Sequence, residues 1–271
     1  MARQSVFQAT TGPGDARRFA AAAVAEGFEV VVAAGGDGTV YEVLNGLGEA
    51  PDGFRKTALG VLPLGTVNVF ARELKIPLHL KDAWVVLRRG RETLIDVGCV
   101  DFTDEGRPAR RYFSQLGGAG LDARAVELVS WKLKKNAGPL AYVVAGFQAL
   151  LEKQPRISVR ADGQTVAGEL ALVGNGRLYG GPFQIFPGAA LNNGLLDVCV
   201  FPSVSLWPLL RLLSGLLLRR KVPEKMVRRL RAQKLELTSV PAAAFELDGE
   251  WVGRLPATFS AQAGRLRVVV P

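Results

Sequence analysis

The run Gly35-Gly36-Asp37-Gly38-Thr39 follows the β-branched segment Phe28–Ala34 and precedes Val40–Leu47, which has helical spacing. Glycines admit positive φ and leave no Cβ between backbone amides and a phosphate. A helix start adds unpaired N–H groups and partial positive charge. The chemistry these residues suit is phosphate binding. Asp37 is the unusual member, because a carboxylate beside a phosphate is repulsive unless it holds Mg2+ or accepts a proton or hydroxyl. Taken alone, the run reads equally well as an ordinary strand–helix turn.

A second turn of the same kind lies downstream. Leu62-Pro63-Leu64-Gly65-Thr66-Val67-Asn68 ends the short apolar run Ala58–Leu62 with a glycine and then offers a hydroxyl and an amide. In an open parallel sheet the carboxyl ends of the strands share one edge, where ligands bind. The two turns are therefore expected to converge on one crevice. Neither matches the P-loop or the dinucleotide fingerprint. Near the C-terminus, Asp248-Gly249-Glu250 reads by residue type as a hairpin turn.

The elements that must position these turns alternate over the first 98 residues. The pattern predicts a helix over Ala16–Glu26 capped by Asp15, a strand over Phe28–Ala34 and a helix over Val40–Leu47. A strand over Ala58–Leu62, helices over Val67–Leu74 and Asp82–Arg89, and a strand over Glu92–Val97 follow. Repetition of strand, turn and helix implies a parallel sheet covered by helices. After Gly98 short strand candidates take over: Arg111–Gln115, Arg156–Ala161, Glu169–Gly174, Leu196–Phe201, Leu235–Thr238, Ala244–Leu247 and Leu266–Val270. A helix over Leu140–Leu151 and an apolar-basic segment interrupt them. The expected fold is an α/β N-terminal domain with a parallel sheet, residues 1–92, followed by a mainly antiparallel, sandwich-like β-rich domain, residues 93–271.

Composition removes several classes of function. Two distant cysteines, Cys99 and Cys199, make no disulfide framework and fit either a reducing compartment or burial. A single histidine, His79, excludes multi-His zinc sites and reads as a surface loop residue. No secretory signal precedes Thr11, and the most apolar stretch, Val204–Leu218, holds Pro208, Arg211 and Gly215 and is too short to span a membrane. The formal charge of +9 is local: from Arg211 to Lys234, nine basic residues accompany one acid, Glu224. A basic stretch directly after an apolar one suits an anionic membrane surface better than nucleic acid. A buried helix followed by a solvated basic helix accounts for the same pattern.

Taken together, Gly35–Glu42 (GGDGTVYE), Gly65–Arg72 (GTVNVFAR) and Asp248-Gly249-Glu250 resemble the diacylglycerol kinase catalytic-domain family, which includes bacterial lipid kinases and sphingosine kinases. Gly117–Ala123, Gly174–Gly181 and Pro187–Val198 extend the resemblance in consistent order to the C-terminus. It implies an active site in the cleft between two domains and an ATP-dependent lipid kinase using Mg2+, with a lipid such as diacylglycerol as acceptor. Thr10, Gly35, Gly36, Asp37, Gly38, Thr39, Val40, Tyr41, Glu42, Gly65, Thr66 and Asn68 would line the ATP site. Glu250 would be the proton acceptor, with Asp248 nearby. The chemistry agrees: a lipid hydroxyl must lose its proton as it attacks the γ-phosphate. A cytoplasmic protein is expected, touching the inner membrane surface peripherally through residues 204–234.

Three departures from the family pattern carry expectations of their own. The usual opening strand and Asn-Pro-x-Ser/Ala-Gly loop have no counterpart, so a phosphate contact is expected to be missing or the start cut short. Val69 stands where many members carry Asp. Asn193 replaces the Asp of a structural Mg2+ site formed with the carbonyls of Ala190 and Leu195, and a neutral oxygen weakens metal binding. The alternatives are a binding protein that kept the fold without catalysis, and an NAD kinase-like enzyme, which shares the first glycine motif.

Overall fold

A computed structural model describes residues 5–128, 146, 148–205 and 222–271. The first lobe contains α1 (Asp15–Ala25), β1 (Val30–Gly35), α2 (Asp37–Glu49), α3 (Gly53–Lys56), β2 (Ala58–Pro63), α4 (Val69–Glu73) and α5 (Leu80–Arg89). The chain then runs through β3 (Arg91–Asp104), β4 (Arg107–Phe113), β5 (Leu116–Gly120), α6 (Leu121–Leu128), β6 (Arg156–Ala161), β7 (Gln164–Gly168) and β8 (Leu170–Gly174). It finishes with β9 (Leu178–Tyr179), β10 (Phe183–Gln184), β11 (Leu196–Phe201), β12 (Arg228–Ala232), β13 (Lys234–Val240), β14 (Ala244–Leu247), β15 (Glu250–Arg254) and β16 (Ala257–Val270).

Strands β1 and β2 are parallel; β2 is buried on both faces, whereas β1, expected to be so, ends the sheet among the described residues with only Ala33 buried and Val32 exposed. The third member of this parallel group is the end of the chain: Val268 of β16 pairs with Leu59 of β2 in parallel register. Leu266, Val268 and Val270 are buried with Ala20, Leu44, Leu59 and Phe70 in the core of the first lobe. The strand expected over Leu266–Val270 is thus the tip of a 14-residue strand that completes the first sheet, rather than a short strand of the second domain. Its partner β3 is equally long and runs antiparallel to it, well past the six residues expected from Glu92 to Val97. One continuous sheet therefore underlies both lobes.

The second lobe is a sandwich. One layer is β7-β6-β13-β16-β3-β4, and the other is β12-β11-β8-β5-β14-β15. Between them lie Phe113, Ile157, Val173, Val198, Leu237, Phe245 and Phe259. Phe245 meets Phe102 and Phe259 edge-to-face at centroid distances of 5.2 and 6.1 Å. Cys99 and Cys199 are both buried and unpaired, and desolvation raises their thiol pKa values to about 11 and about 12. Burial accounts for them without any disulfide.

Several local expectations are corrected. The residue capping α1 is Gly14, in the left-handed region at φ 86°, not Asp15. The Asp15 carboxylate instead accepts hydrogen bonds from the Thr11 amide and hydroxyl and the Gly12 amide. The helix expected from Val67 begins only at Val69, because Asn68 is left-handed at φ 53° and holds a loop back to Gly65. The strand expected over Arg111–Gln115 stops at Phe113, and Ser114 and Gln115 form a turn into β5. Residues 228–234 lie on β12 and β13, not on a basic helix, since Leu230 and Ala232 alternate with Arg229 and Arg231. Arg231 pairs with Asp197 there at 2.8 Å. The apolar stretch at 206–221 and most of the helix expected at Leu140–Leu151 lie outside the described residues. Among the described residues, no helix is long and apolar enough to cross a membrane.

Candidate active site

The two glycine turns touch. β1 and β2 end in register, Gly35 opposite Pro63, and the Leu64 amide donates to the Gly35 carbonyl at 3.0 Å. Beyond that bond the backbones of Gly36 and Gly65 approach so closely that a Cβ on Gly65 would lie 2.5 Å from the Gly36 Cα. Only glycine permits this approach. The side chains of the two turns then lock the pair. Asp37 Oδ1 accepts from the Phe70 amide at 3.2 Å, so the first turn caps the helix that follows the second. Asn68 accepts from the Gly65 amide at 3.0 Å and donates to the Gly65 carbonyl at 2.7 Å.

The remaining candidates divide by what their side chains already do. Thr39 packs over Gly35 at the start of α2. Val40 is buried in the first core, so its side chain is structural. Tyr41 leans the other way, onto the core of the sandwich, and burial pushes its phenol pKa up. Glu42 accepts from the amides of Gly14 and Ala16 at 2.8 and 3.0 Å, holding the start of α1 beside the turn. Thr10 and Thr66 are exposed. Gly36, Asp37, Gly38 and Gly65 therefore form one compact surface, with Asn68 buried beneath Gly65 and Val40, Tyr41 and Glu42 in support.

The third motif reaches this surface from the second lobe. Asp248 and Gly249 both have positive φ, 50° and 85°, and make the tight hairpin between β14 and β15 that their sequence predicts. Glu250, first residue of β15, is half-buried, and its Oε1 lies 2.9 Å from where a Cβ on Gly38 would stand. Asp248 turns inward: its carboxylate accepts from the Ser114 amide and hydroxyl at 2.7 and 2.9 Å and from the Gln115 and Leu116 amides at 2.9 and 3.0 Å. Burial raises its pKa against the opposing pull of those donors. The two acids of one motif thus part company, Asp248 to the fold and Glu250 to the cleft.

Two residues that sequence reasoning passed over join the lobes. Glu73, 7% exposed, accepts from Gln115 Nε2, the Arg177 amide, Arg177 Nε and the Leu178 amide at 3.0, 3.0, 2.8 and 3.1 Å. Asn45 donates to the carbonyls of Tyr41 and Tyr112 and accepts from the Tyr112 amide, each at 2.9 Å. The available signal was a polar residue on the apolar face of a helix, which by itself names no partner.

The loop of Ala190, Asn193 and Leu195 does not fit a resident Mg2+. Asp96, the nearest acid holding it, has one oxygen on the Gly194 amide at 2.6 Å and the other on the Gly264 amide at 2.8 Å. Asn193 Oδ1 accepts from the Leu195 amide at 3.0 Å. The loop from Ala190 to Leu195 carries no acid of its own, and the Asp96 carboxylate is committed to bracing it, so a hard cation that prefers carboxylates finds only neutral oxygens on the loop. His79 is exposed at the start of α5, 3.3 Å from Asp82, and no cluster of metal-ligating side chains occurs among the described residues.

Comparison with known proteins identifies the family and the fold. The diacylglycerol kinase catalytic domain matches residues 2–100, and the YegS C-terminal NAD kinase beta sandwich-like domain matches residues 117–270. A diacylglycerol kinase of Bacillus subtilis (strain 168) is 34% identical over 268 residues, covering 97% of this chain and 84% of that protein. The chain belongs to the diacylglycerol kinase family. A second member, the diacylglycerol kinase of Staphylococcus saprophyticus, is 30% identical over 266 residues, covering 97% of this chain and 84% of its own. A crystal structure of a diacylglycerol kinase from Bacillus anthracis str. Sterne has the same two-lobed fold, with a TM-score of 0.66 at 20% identity over 97% of this chain and 83% of that one. Membership of the diacylglycerol kinase family makes this a kinase fold, with ATP as the substrate the family implies.

Proposed function

We propose that this chain transfers the γ-phosphate of ATP to a hydroxyl of a lipid such as diacylglycerol, with Glu250 as general base. The observation that carries the reading is the Glu250 carboxylate lying against Gly38, inside the glycine turn. A base must stand within hydrogen-bond reach of the hydroxyl it deprotonates, and that hydroxyl must stand at the phosphate. Gly36 and Gly65 supply the flat backbone surface for the nucleotide phosphates, and α2 begins there with its unpaired amides.

In this reading the acceptor proton passes to a Glu250 oxygen as the acceptor oxygen bonds to the γ-phosphorus and the bond to ADP breaks. Mg2+, brought in with ATP, would neutralise charge on the phosphates, and Asp37 is the carboxylate that would face it. The first lobe binds and orients the nucleotide, and the second brings the base. Lys225, Arg228, Arg229 and Lys234 are exposed beyond the apolar stretch and would attract an anionic membrane carrying the lipid, while Arg231 is paired with Asp197.

The reading is tested with labelled ATP and total lipid extract in vesicles, followed by identification of the labelled product. Label in a phosphorylated lipid, lost in Glu250→Gln, supports it. ATP binding by calorimetry with no label in any lipid would instead favour a binding protein.

A further inference from the structure

Behind the hairpin that carries Glu250 lies a pair of acids the reaction does not touch. Glu246, on β14, is 1% exposed. Asp122, at the start of α6, meets it: Asp122 Oδ2 and Glu246 Oε1 both lie 2.7 Å from the point where a Cβ on Gly118 would stand. No N–H or hydroxyl of any other described residue reaches Glu246 Oε1. Glu246 is buried and Asp122 half-buried, and two carboxylates in contact there do not both stay ionised, so one proton is held between them. The other oxygens are occupied. Tyr179 donates its hydroxyl to Asp122 Oδ1 at 2.7 Å, and the Gly249 amide donates to Glu246 Oε2 at 2.6 Å.

Glu246 is the protonated member, since burial and the neighbouring Asp122 charge push its pKa well above the usual carboxylate range. Burial raises the Asp122 pKa as well, but the Tyr179 and Glu246 donors pull it back down, so of the two Glu246 is the one drawn toward the neutral form. The result is a chain of hydrogen bonds from Tyr179 through Asp122 and Glu246 to Gly249, the residue directly before Glu250. We propose that Glu246 is a positioning residue, a neutral acid whose proton bridges to Asp122 while its other oxygen anchors the Gly249 amide, thereby fixing the Glu250 carboxylate at Gly38. This rests on the reading of Glu250 as the base. The far end of the chain, Tyr179, lies on the β9–β10 hairpin, whose turn includes Gly181, where a Cβ would stand 3.6 Å from Val67 of the second glycine turn.

The test uses the full chain and ATP turnover with phospholipid vesicles containing diacylglycerol. Glu246→Ala is expected to lower kcat by about 10- to 100-fold, since small misplacement of a reacting group costs rate, with KM for ATP within about twofold. Glu246→Gln should recover at least about half of kcat, because its amide donates to Asp122 and its carbonyl accepts from Gly249. Tyr179→Phe, which removes only the hydroxyl, should lose several-fold in kcat and serves if Glu246→Ala does not fold. Loss of turnover in Glu250→Gln with unchanged kcat in Glu246→Ala or Tyr179→Phe overturns the relay alone. A Glu246→Gln as slow as Glu246→Ala overturns it too. Unchanged turnover in Glu250→Gln overturns the base itself and this inference with it.

Discussion

Glu250 Oε1 stands 2.9 Å from the position of a Cβ on Gly38, so a residue of the second lobe closes onto the glycine turn of the first. The contact converts three separate motifs into one site. It also separates two properties that mutations usually change together. Gly38 is the second residue of α2 and does not need positive φ, so Gly38→Ala is compatible with the helix. Alanine is favoured over glycine there by up to about 1 kcal/mol. The added methyl must push the carboxylate aside. Gly38→Ala is expected to hold or raise the midpoint of thermal unfolding while lowering kcat by about 10- to 100-fold. A variant with full activity would show that the contact is incidental.

Glu73 gives the opposite signature. Its four donors come from Gln115, Arg177 and Leu178, all in the second lobe, so Glu73→Ala strands them at the lobe junction. Breaking a fully buried pair costs about 3–5 kcal/mol. The Arg177 side chain is 41% exposed and recovers water, so the loss should be nearer about 2–3 kcal/mol. Urea denaturation of Glu73→Ala and wild type reads this directly, and a difference under about 0.5 kcal/mol would contradict it.

Asp248 is expected to act on folding. Asp248→Asn replaces an acceptor-only carboxylate by a group whose amide faces the Ser114, Gln115 and Leu116 donors. A loss of about 2–3 kcal/mol is expected, with turnover falling only in step with the folded fraction. Turnover abolished in a fully folded Asp248→Asn would return this residue to the chemistry.

The acid pair sets a pH dependence of stability. The folded pKa of Glu246 lies above its ordinary value of 4.5, so the native state holds a proton that the unfolded chain releases. Stability from the pair is complete below that ordinary value and is lost as pH rises through the folded one. Glu246→Gln has no such proton to lose. Its stability relative to wild type, measured by urea denaturation, should therefore increase from pH 5 to pH 8. A constant difference would show that Glu246 is ionised throughout.

Much of this was legible in the residues because each motif obeys a local rule. Phe28–Ala34 announces a strand, though not its half-exposed position at the end of the sheet, Gly35 and Gly65 mark turns at strand ends, and Asp248-Gly249 makes the hairpin it names. What escaped was long-range. Nothing in Leu266–Val270 tells that it joins β2, some 200 residues earlier, instead of a local hairpin. Nor does the sequence reveal that Asp248 and Glu250, two residues apart, face opposite ways, or that Glu42 is committed to the Gly14 and Ala16 amides. Periodicity reports burial and turn chemistry, whereas a buried polar residue finds its partner only once the chain is folded.

The most direct measurement is ATP turnover by Glu250→Gln beside wild type, on vesicles containing diacylglycerol, with circular dichroism to show both folded. Glu250→Gln keeps the size and shape of the side chain, while it removes the negative charge, turns one acceptor oxygen into a donor amide and so abolishes the capacity to take a proton. A general base contributes about 10²- to 10⁴-fold, so kcat should fall at least about 100-fold with KM for ATP little changed. Equal turnover in the two proteins would contradict the account.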